Sequence, residues 1–115
     1  MKVIVAGTRT ITDKKVIWDA LDNTKFKITE LISGGAKGVD SIGEEWARSK
    51  NIPIKQYLPH YNIDNPHYAP LLRNNSMAQD GDALIAIWDG KSRGTKHMIG
   101  CMEGYKKPVE IIKIC

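Results

Sequence analysis

The chain has 115 residues, of which 42% are hydrophobic and 26% charged, so size and composition predict one globular domain over residues 1–115 and exclude a disordered or fibrous protein. No apolar run approaches the ~20 residues that span a bilayer, and the short apolar N-terminal run excludes a signal peptide, so we expect a cytoplasmic protein without membrane contact. The formal net charge of +4 favours anionic partners, and because the two cysteines and three histidines lack metal-ligand or disulfide spacing, we predict neither a metal nor a cofactor.

Apolar runs of strand length alternate along the chain with segments of helical spacing. The predicted strands cover residues 3–6, 28–32, 52–57, 83–88 and 109–114. The predicted helices follow the first four strands, and their apolar positions are Val16, Ile17, Ala20 and Leu21; Val39, Ile42, Trp46 and Ala47; Tyr68, Leu71, Leu72 and Ala78; and Met98, Cys101, Met102 and Tyr105. The alternation predicts an α/β fold, namely a three-layer sandwich with a five-stranded parallel sheet and helices on both faces.

The first strand ends in a short motif with a glycine and an arginine. In an open parallel sheet the strand-to-helix junctions meet at one edge, where ligands bind. Gly7 permits a close backbone approach and Arg9 offers forked donors for phosphate, although a glycine in this place is also typical of a plain turn. The junction predicts ligand contacts at Gly7, Thr8 and Arg9.

A glycine-rich turn follows the second strand and opens the second helix. Three glycines, a serine and a lysine coincide there, and glycines allow main-chain N–H groups to point at an anion beside the positive end of a helix. The pattern is neither the dinucleotide fingerprint nor the P-loop, and its alternative is a plain turn. We predict a phosphate cradle that involves Ser33, Gly34, Gly35, Lys37, Gly38 and Asp40.

Two features lie between the third and fourth strands. Residues 59–68 are rich in turn formers and aromatic rings, and we predict that they form a lid or rim. In the helical segment that follows, Arg73 and Asn74 suit a phosphate or a ribose, and the alternative is that both are exposed on a helix face.

The junction after the fourth strand combines positive charge with a glycine and a threonine at a helix start. Main-chain N–H groups and a hydroxyl can face a ligand there, and Lys91 and Lys96 add charge around them. The alternative is a solvated basic loop. Because the junction shares its sheet edge with the other two, we predict ligand contacts at Trp88, Asp89, Gly90, Ser92, Arg93, Gly94 and Thr95.

Together these motifs resemble those of the SLOG superfamily, over nearly the whole chain. That group joins the Rossmann-like domain of DNA-processing protein A with the LOG-type, lysine decarboxylase-like proteins, and the chain resembles its small single-domain members from bacteria and phages. The resemblance implies a Rossmann-like fold whose Gly-rich turns hold the phosphates and ribose of nucleotides or NAD-like ligands. Because LOG-type proteins assemble as dimers, it also implies a homodimer.

The chain departs from the LOG-type pattern at one informative position. LOG-type enzymes cleave the base-to-ribose bond and carry Gly-Gly-x-Gly-Thr-x-x-Glu at the last junction, whose Glu contributes to catalysis. Met98 stands where that Glu would be, and a thioether can neither accept a proton nor stabilise a developing positive charge. The Gly-rich turn is closer to the DNA-processing branch, which binds single-stranded DNA and a recombinase.

Three functions follow from these patterns. The leading hypothesis is a sensor or sequestering module for a small nucleotide, such as an NAD-derived or cyclic signal, whose base stacks on Trp88 or on a ring of the 59–68 loop. The second is a hydrolase with Asp40, Asp89 or Glu44 as the carboxylate, which leaves the catalytic residues unassigned. The third is single-stranded DNA binding along the basic edge.

Overall fold

The computed structural model describes residues 1–58 and 68–114, which contain five strands and four helices. In chain order they are β1 (Lys2–Gly7), α1 (Lys14–Asp22), β2 (Glu30–Ser33), α2 (Val39–Ser49), β3 (Ile54–Gln56), α3 (Ala69–Asp80), β4 (Ala83–Trp88), α4 (Arg93–Gly104) and β5 (Val109–Lys113). This alternation confirms the predicted α/β fold. The predicted lid at residues 59–68 lies outside the described residues, except for Tyr68.

All strand pairs of the sheet are parallel, in the order β3-β2-β1-β4-β5. β2 and then β3 lie on one side of β1. The chain then crosses over β1, and β4 and β5 lie on its other side. The carboxyl ends of β1 and β4 therefore form a topological switch point, where the neighbouring connections leave on opposite sides of the sheet.

Alternate residues of the central strands support the two helical layers. Val3 and Val5 pack in one core, which Ile17 of α1 and Trp46 of α2 complete. Ile4, between them in β1, packs in a second core with Met77 of α3 and with residues of α4. Because both faces of the sheet are covered, the apolar run of β4 is fully buried from Ala83 to Ile87. No helix in the described ranges has both the length and the apolar character that crossing a bilayer demands.

The second and third strands are shorter than the sequence predicts. The amide of Thr29 donates to the carbonyl of Met1 outside the regular ladder, and β2 begins one residue later. The amide of Ile52 donates to the carbonyl of Ala47 at the end of α2, which holds Ile52 in the helix termination. The apolar side chains of Ile28 and Ile52 pack against the core, although neither residue belongs to a strand.

Candidate functional site

A cleft of about 520 Å³ opens at the switch point between β1 and β4. Its volume lies within the range that small-molecule sites occupy. The predicted site residues that line it are Gly7, Thr8, Arg9, Asp40, Arg73, Asn74, Asp89, Ser92, Gly94 and Thr95. The lining residues outside that prediction are Ala6, Thr10, Ala36, Pro70, Leu71, Met77, Lys91 and Met98.

The N-terminus of α4 opens onto this cleft. Lys96 makes the first helical hydrogen bond, to the carbonyl of Ser92, and in the described chain the amides of Arg93, Gly94 and Thr95 have no acceptor. A Cβ built on Gly94 would meet no atom within 4 Å, so open space adjoins its main chain. Unpaired amides at the positive end of a helix are a favourable place for an anion.

The turn between β4 and α4 is fixed by Asp89. Asp89 Oδ1 accepts hydrogen bonds from the amides of Lys91 and Ser92, both at 2.8 Å, and these amides hold the pKa of the carboxyl below its usual range. The amide of Asp89 donates to Thr8 Oγ1 at 3.1 Å, which joins the turn to the end of β1. Asp89 therefore positions the start of α4 as an ionised turn former.

Three predicted contacts at this junction lie outside the cleft lining. Trp88 Nε1 donates to the carbonyl of Ser92 at 3.0 Å, and its ring packs beside the core of α3 and α4. Gly90 provides the positive φ of 83° that the turn requires. Arg93 lies in a separate shallow hollow with His97 and Cys101.

The Gly-rich turn satisfies part of its own backbone. The amide of Gly35 donates to Ser33 Oγ at 3.1 Å, and the amide of Ala36 donates to Asp40 Oδ2 at 3.2 Å. Gly38, with φ of 74°, packs against the carbonyl of Arg9. From this segment Ala36 and Asp40 line the cleft, and the predicted residues outside the lining are Ser33, Gly34, Gly35, Lys37 and Gly38.

Asp40 brings a buried carboxylate to the cleft wall. Its residue is only 7% exposed, and burial raises its pKa to about 6, against the opposing effects of the Ala36 amide and the Arg73 guanidinium. Glu44, one turn later on α2, is instead held by Ser33 Oγ at 2.7 Å and by Gln56 Nε2 at 2.8 Å. Asp40 is therefore the buried carboxylate that faces the cleft in the described part of the chain.

Arg73 and Asn74 connect the two glycine-containing junctions. Arg73 Nη1 donates to the carbonyl of Gly34 at 2.8 Å, and its Nε donates to Asn74 Oδ1 at 3.0 Å. Asn74 Nδ2 donates to the carbonyl of Gly94 at 3.3 Å and lies 3.1 Å from His97 Nδ1. This chain of hydrogen bonds fixes the Gly-rich turn relative to the start of α4.

The rest of the lining has a charged part at the mouth and an apolar part deeper in the cleft. Arg9 and Lys91 are exposed cations at the mouth, whereas Met77 and Met98 form a buried apolar floor and Leu71 an exposed wall. Such walls suit a base or another flat apolar group. In residues 1–58 and 68–114 no three His, Cys, Asp or Glu side chains cluster closely enough to hold a metal ion.

We expect Asp40→Asn to change the pH dependence of stability. Because the pKa of Asp40 is raised to about 6, its ionised form destabilises the fold at neutral pH, and this cost disappears as the pH falls from about 6 to below its ordinary pKa near 4. Asparagine can still accept from the Ala36 amide. The variant should therefore gain about 2–3 kcal/mol relative to wild type between pH 4 and pH 7, measured by urea unfolding.

Glu45→Gln is the matched control for this prediction, because Glu45 lies on the same helix and is exposed. Its difference from wild type should be nearly constant between pH 4 and pH 7. A constant difference for Asp40→Asn as well would show that the carboxylate carries no such burial cost.

The parallel sheet and the cleft at its switch point define a Rossmann-like α/β domain. The chain belongs to the YspA, cpYpsA-related SLOG family (YAcAr), whose family model matches residues 1–62. This assignment confirms the resemblance to the SLOG superfamily that the motifs indicate.

Two relatives extend the comparison. The Gene 61 protein of Mycobacterium phage D29 is 30% identical over 120 residues, which cover 96% of this chain and 94% of that protein. DNA processing protein A (DprA) from Streptococcus pneumoniae is similar in structure, with a TM-score of 0.80 and 15% sequence identity. The match covers 99% of this chain and 50% of the DprA chain, so this chain spans about half of that protein's length. At this identity the likeness establishes the fold alone.

Proposed function

We propose that the protein binds a small phosphate-bearing nucleotide or nucleotide derivative, such as an NAD-derived or cyclic signal, and acts as a sensor or sequestering module. The observation that carries the proposal is the start of α4, where the amides of Arg93, Gly94 and Thr95 have no acceptor and Gly94 and Thr95 line a nucleotide-sized cleft. Arg9 and Lys91 at the mouth supply charge to neutralise a phosphate. Membership of a SLOG family supports a nucleotide-related role.

In this proposal the phosphate binds at the start of α4. The amides of Gly35 and Ala36 already donate to Ser33 and Asp40, so the Gly-rich turn has fewer free donors than the helix terminus. The turn then supports the ligand indirectly, and Lys37 and Arg93 contribute to the field around the cleft as exposed cations. The base would pack on the apolar surface that includes Leu71 and Met98.

Binding without turnover is the form of the proposal that the lining favours. Met98 is 1% exposed and places a thioether at the floor, and Asp89 is held as a turn former. Asp40 is the carboxyl group that a hydrolase acting on an N-glycosidic or phosphate bond would use. Recovery of the ligand after binding separates these two functions.

A thermal-shift screen tests the proposal directly. The panel contains nucleoside phosphates, NAD, ADP-ribose, cyclic dinucleotides and short single-stranded DNA, and each mixture is analysed afterwards by chromatography. A ligand at one hundred times its Kd stabilises the fold by about 2.7 kcal/mol, which gives a readily measured rise in Tm. We expect a rise with at least one small nucleotide that returns intact; a cleaved product would establish a hydrolase, and no rise would contradict nucleotide binding.

Single-stranded DNA binding is the second candidate function. It is favoured by the structural likeness to DNA processing protein A and by the exposed cations Arg9, Lys37, Lys91, Arg93 and Lys96 around the cleft-bearing edge. Binding by phosphate neutralisation weakens steeply as salt increases, whereas binding of a small ligand in a formed cleft depends on salt far less. Affinity for an oligonucleotide that falls at least ~100-fold between 50 and 200 mM salt, without binding of mononucleotides, would favour this function.

A further inference from the structure

The buried side chain of Asn74 has an orientation that two of its neighbours determine. Its Oδ1 accepts a hydrogen bond from Arg73 Nε at 3.0 Å, and a guanidinium nitrogen can only donate. Its Nδ2 donates to the carbonyl of Gly94 at 3.3 Å, and a carbonyl oxygen can only accept. The opposite orientation of the amide would place donor against donor and acceptor against acceptor. The two contacts therefore fix which end of the amide faces α4.

This orientation also determines the protonation state of His97. Asn74 Nδ2 has a second hydrogen, and His97 Nδ1 lies 3.1 Å from this nitrogen, so Nδ1 must be an acceptor. A neutral imidazole that accepts at Nδ1 carries its proton on Nε2. A further proton on Nδ1 would place two donors against each other and break the hydrogen bond. The contact with Asn74 thus requires a neutral His97.

The groups around His97 also favour the neutral ring. Arg93 and Lys96 line the same hollow on α4, Arg73 brings a third positive charge from α3, and within the described ranges no acidic side chain lines this hollow. Cys101 Sγ lies 3.7 Å from Nδ1 and 3.8 Å from Nε2, and because burial raises the pKa of this thiol, it is uncharged. Burial lowers the pKa of His97 itself. The ring is therefore neutral at neutral pH and is protonated only in acid.

We propose that His97 is a pH-sensitive switch for the cleft: the neutral ring holds Asn74 in place, and protonation of Nδ1 releases it. Asn74 joins Arg73 to the carbonyl of Gly94 in the first turn of α4. Arg73 in turn donates to the carbonyl of Gly34 in the Gly-rich turn. Release of Asn74 therefore loosens the connection between the Gly-rich turn and the start of α4. This switch acts on the formed cleft, whichever ligand the cleft binds.

NMR spectroscopy of the ligand-free protein tests the switch. Long-range ¹H–¹⁵N spectra distinguish the two neutral tautomers of a histidine, and we expect the proton of His97 on Nε2 at about pH 7.5. Between about pH 7.5 and pH 5, the side-chain amide of Asn74 should shift with the same midpoint as the His97 ring. The backbone amide of Thr95, whose peptide bond includes the carbonyl of Gly94, should shift with it.

His97→Asn is the conservative variant, because its Oδ1 replaces Nδ1 as an acceptor and does not titrate. The pH-dependent shifts at Asn74 and Thr95 should disappear in it. Wild type alone loses the hydrogen bond as the pH falls below the ordinary pKa of histidine, so the Tm of His97→Asn relative to wild type should rise by ~3 °C or more between about pH 7.5 and pH 5. Asp40, whose pKa is about 6, titrates in both proteins and does not change this difference.

Three results would overturn the switch. One is a proton on Nδ1 of His97 at about pH 7.5, because the ring could then not accept from Asn74. Another is a set of Asn74 and Thr95 signals that do not follow the His97 ring, or that shift equally in His97→Asn. The third is a Tm difference between the two proteins that stays constant with pH. None of these measurements uses a ligand, so their outcome is independent of the proposed nucleotide binding.

Discussion

Gly94→Leu is expected to lower nucleotide affinity by ~100-fold or more and to leave the fold at least as stable as wild type. Gly94 lies in the first turn of α4, lines the cleft, and has open space where its side chain would grow. Leucine would fill the volume next to the free amides, so the phosphate could not reach them. Because open space surrounds the built Cβ of Gly94 and leucine is a better helix former than glycine, the substitution should not unfold the protein, so lost binding could not be attributed to unfolding.

Gly100→Leu provides the matched control. Gly100 lies on the same helix and also has no atom within 4 Å of a built Cβ, but it does not line the cleft. This variant should match the stability of Gly94→Leu and bind like wild type, as measured by calorimetric titration and thermal melting. If both variants bound nucleotide normally, the start of α4 would not be the phosphate site.

Gly38→Ala is expected to destabilise the protein by about 3 kcal/mol or more. Gly38 has φ of 74° and ψ of −123°, a region that residues with a Cβ rarely enter. An added Cβ would also clash with the carbonyl oxygen of Arg9, and that neighbour is main chain that cannot rotate away. The loss should appear as a lower urea midpoint with an unchanged slope.

Gly100→Ala makes the same chemical change in a helical position with open space, and it should stabilise by about 0.5–1 kcal/mol. The contrast between the two alanine variants isolates the backbone conformation at Gly38 from the general effect of removing a glycine. A loss below about 1 kcal/mol in Gly38→Ala would mean that the turn relaxes away from this packing.

The sequence predicted the strand and helix order because the apolar runs are separated by clear turn residues. β4 is the plainest case, since its predicted and observed bounds are both residues 83–88. The ends of β2 and β3 were harder to predict, because Ile28 and Ile52 look like strand residues but pack on the core from loops. Periodicity detects burial, and burial alone does not distinguish a strand from a loop that covers the core.

The motifs indicate where the cleft lies better than they indicate which side chains of a helix are buried. The Gly-Thr start of α4 lines the cleft, as we expected from its junction. On α3, however, the spacing predicts that Leu71 and Leu72 lie on the apolar face, although they are 38% and 50% exposed while Asn74 is buried. Asn74 tolerates burial because Arg73 and the carbonyl of Gly94 satisfy its amide, and such tertiary partners cannot be read from spacing.

The Gly-rich turn illustrates the same limit. Its composition predicts free amides for an anion, but Ser33 and Asp40 from the same chain accept two of them. A serine and an aspartate around a glycine turn are consistent both with a ligand site and with an internally capped turn. The start of α2 places the carboxylate of Asp40 next to the amide of Ala36, and the composition of the turn does not show this contact.

Amide chemical-shift mapping by NMR tests most directly whether the start of α4 binds the phosphate. The ¹⁵N-labelled protein would be titrated with the mononucleotide that gives the largest rise in Tm and, in parallel, with the matching unphosphorylated nucleoside. We predict the largest phosphate-dependent shifts at the amides of Arg93, Gly94 and Thr95, with smaller shifts at Gly35 and Gly38. Shifts confined to the Gly-rich turn, or equal shifts with and without the phosphate, would contradict the phosphate site at α4.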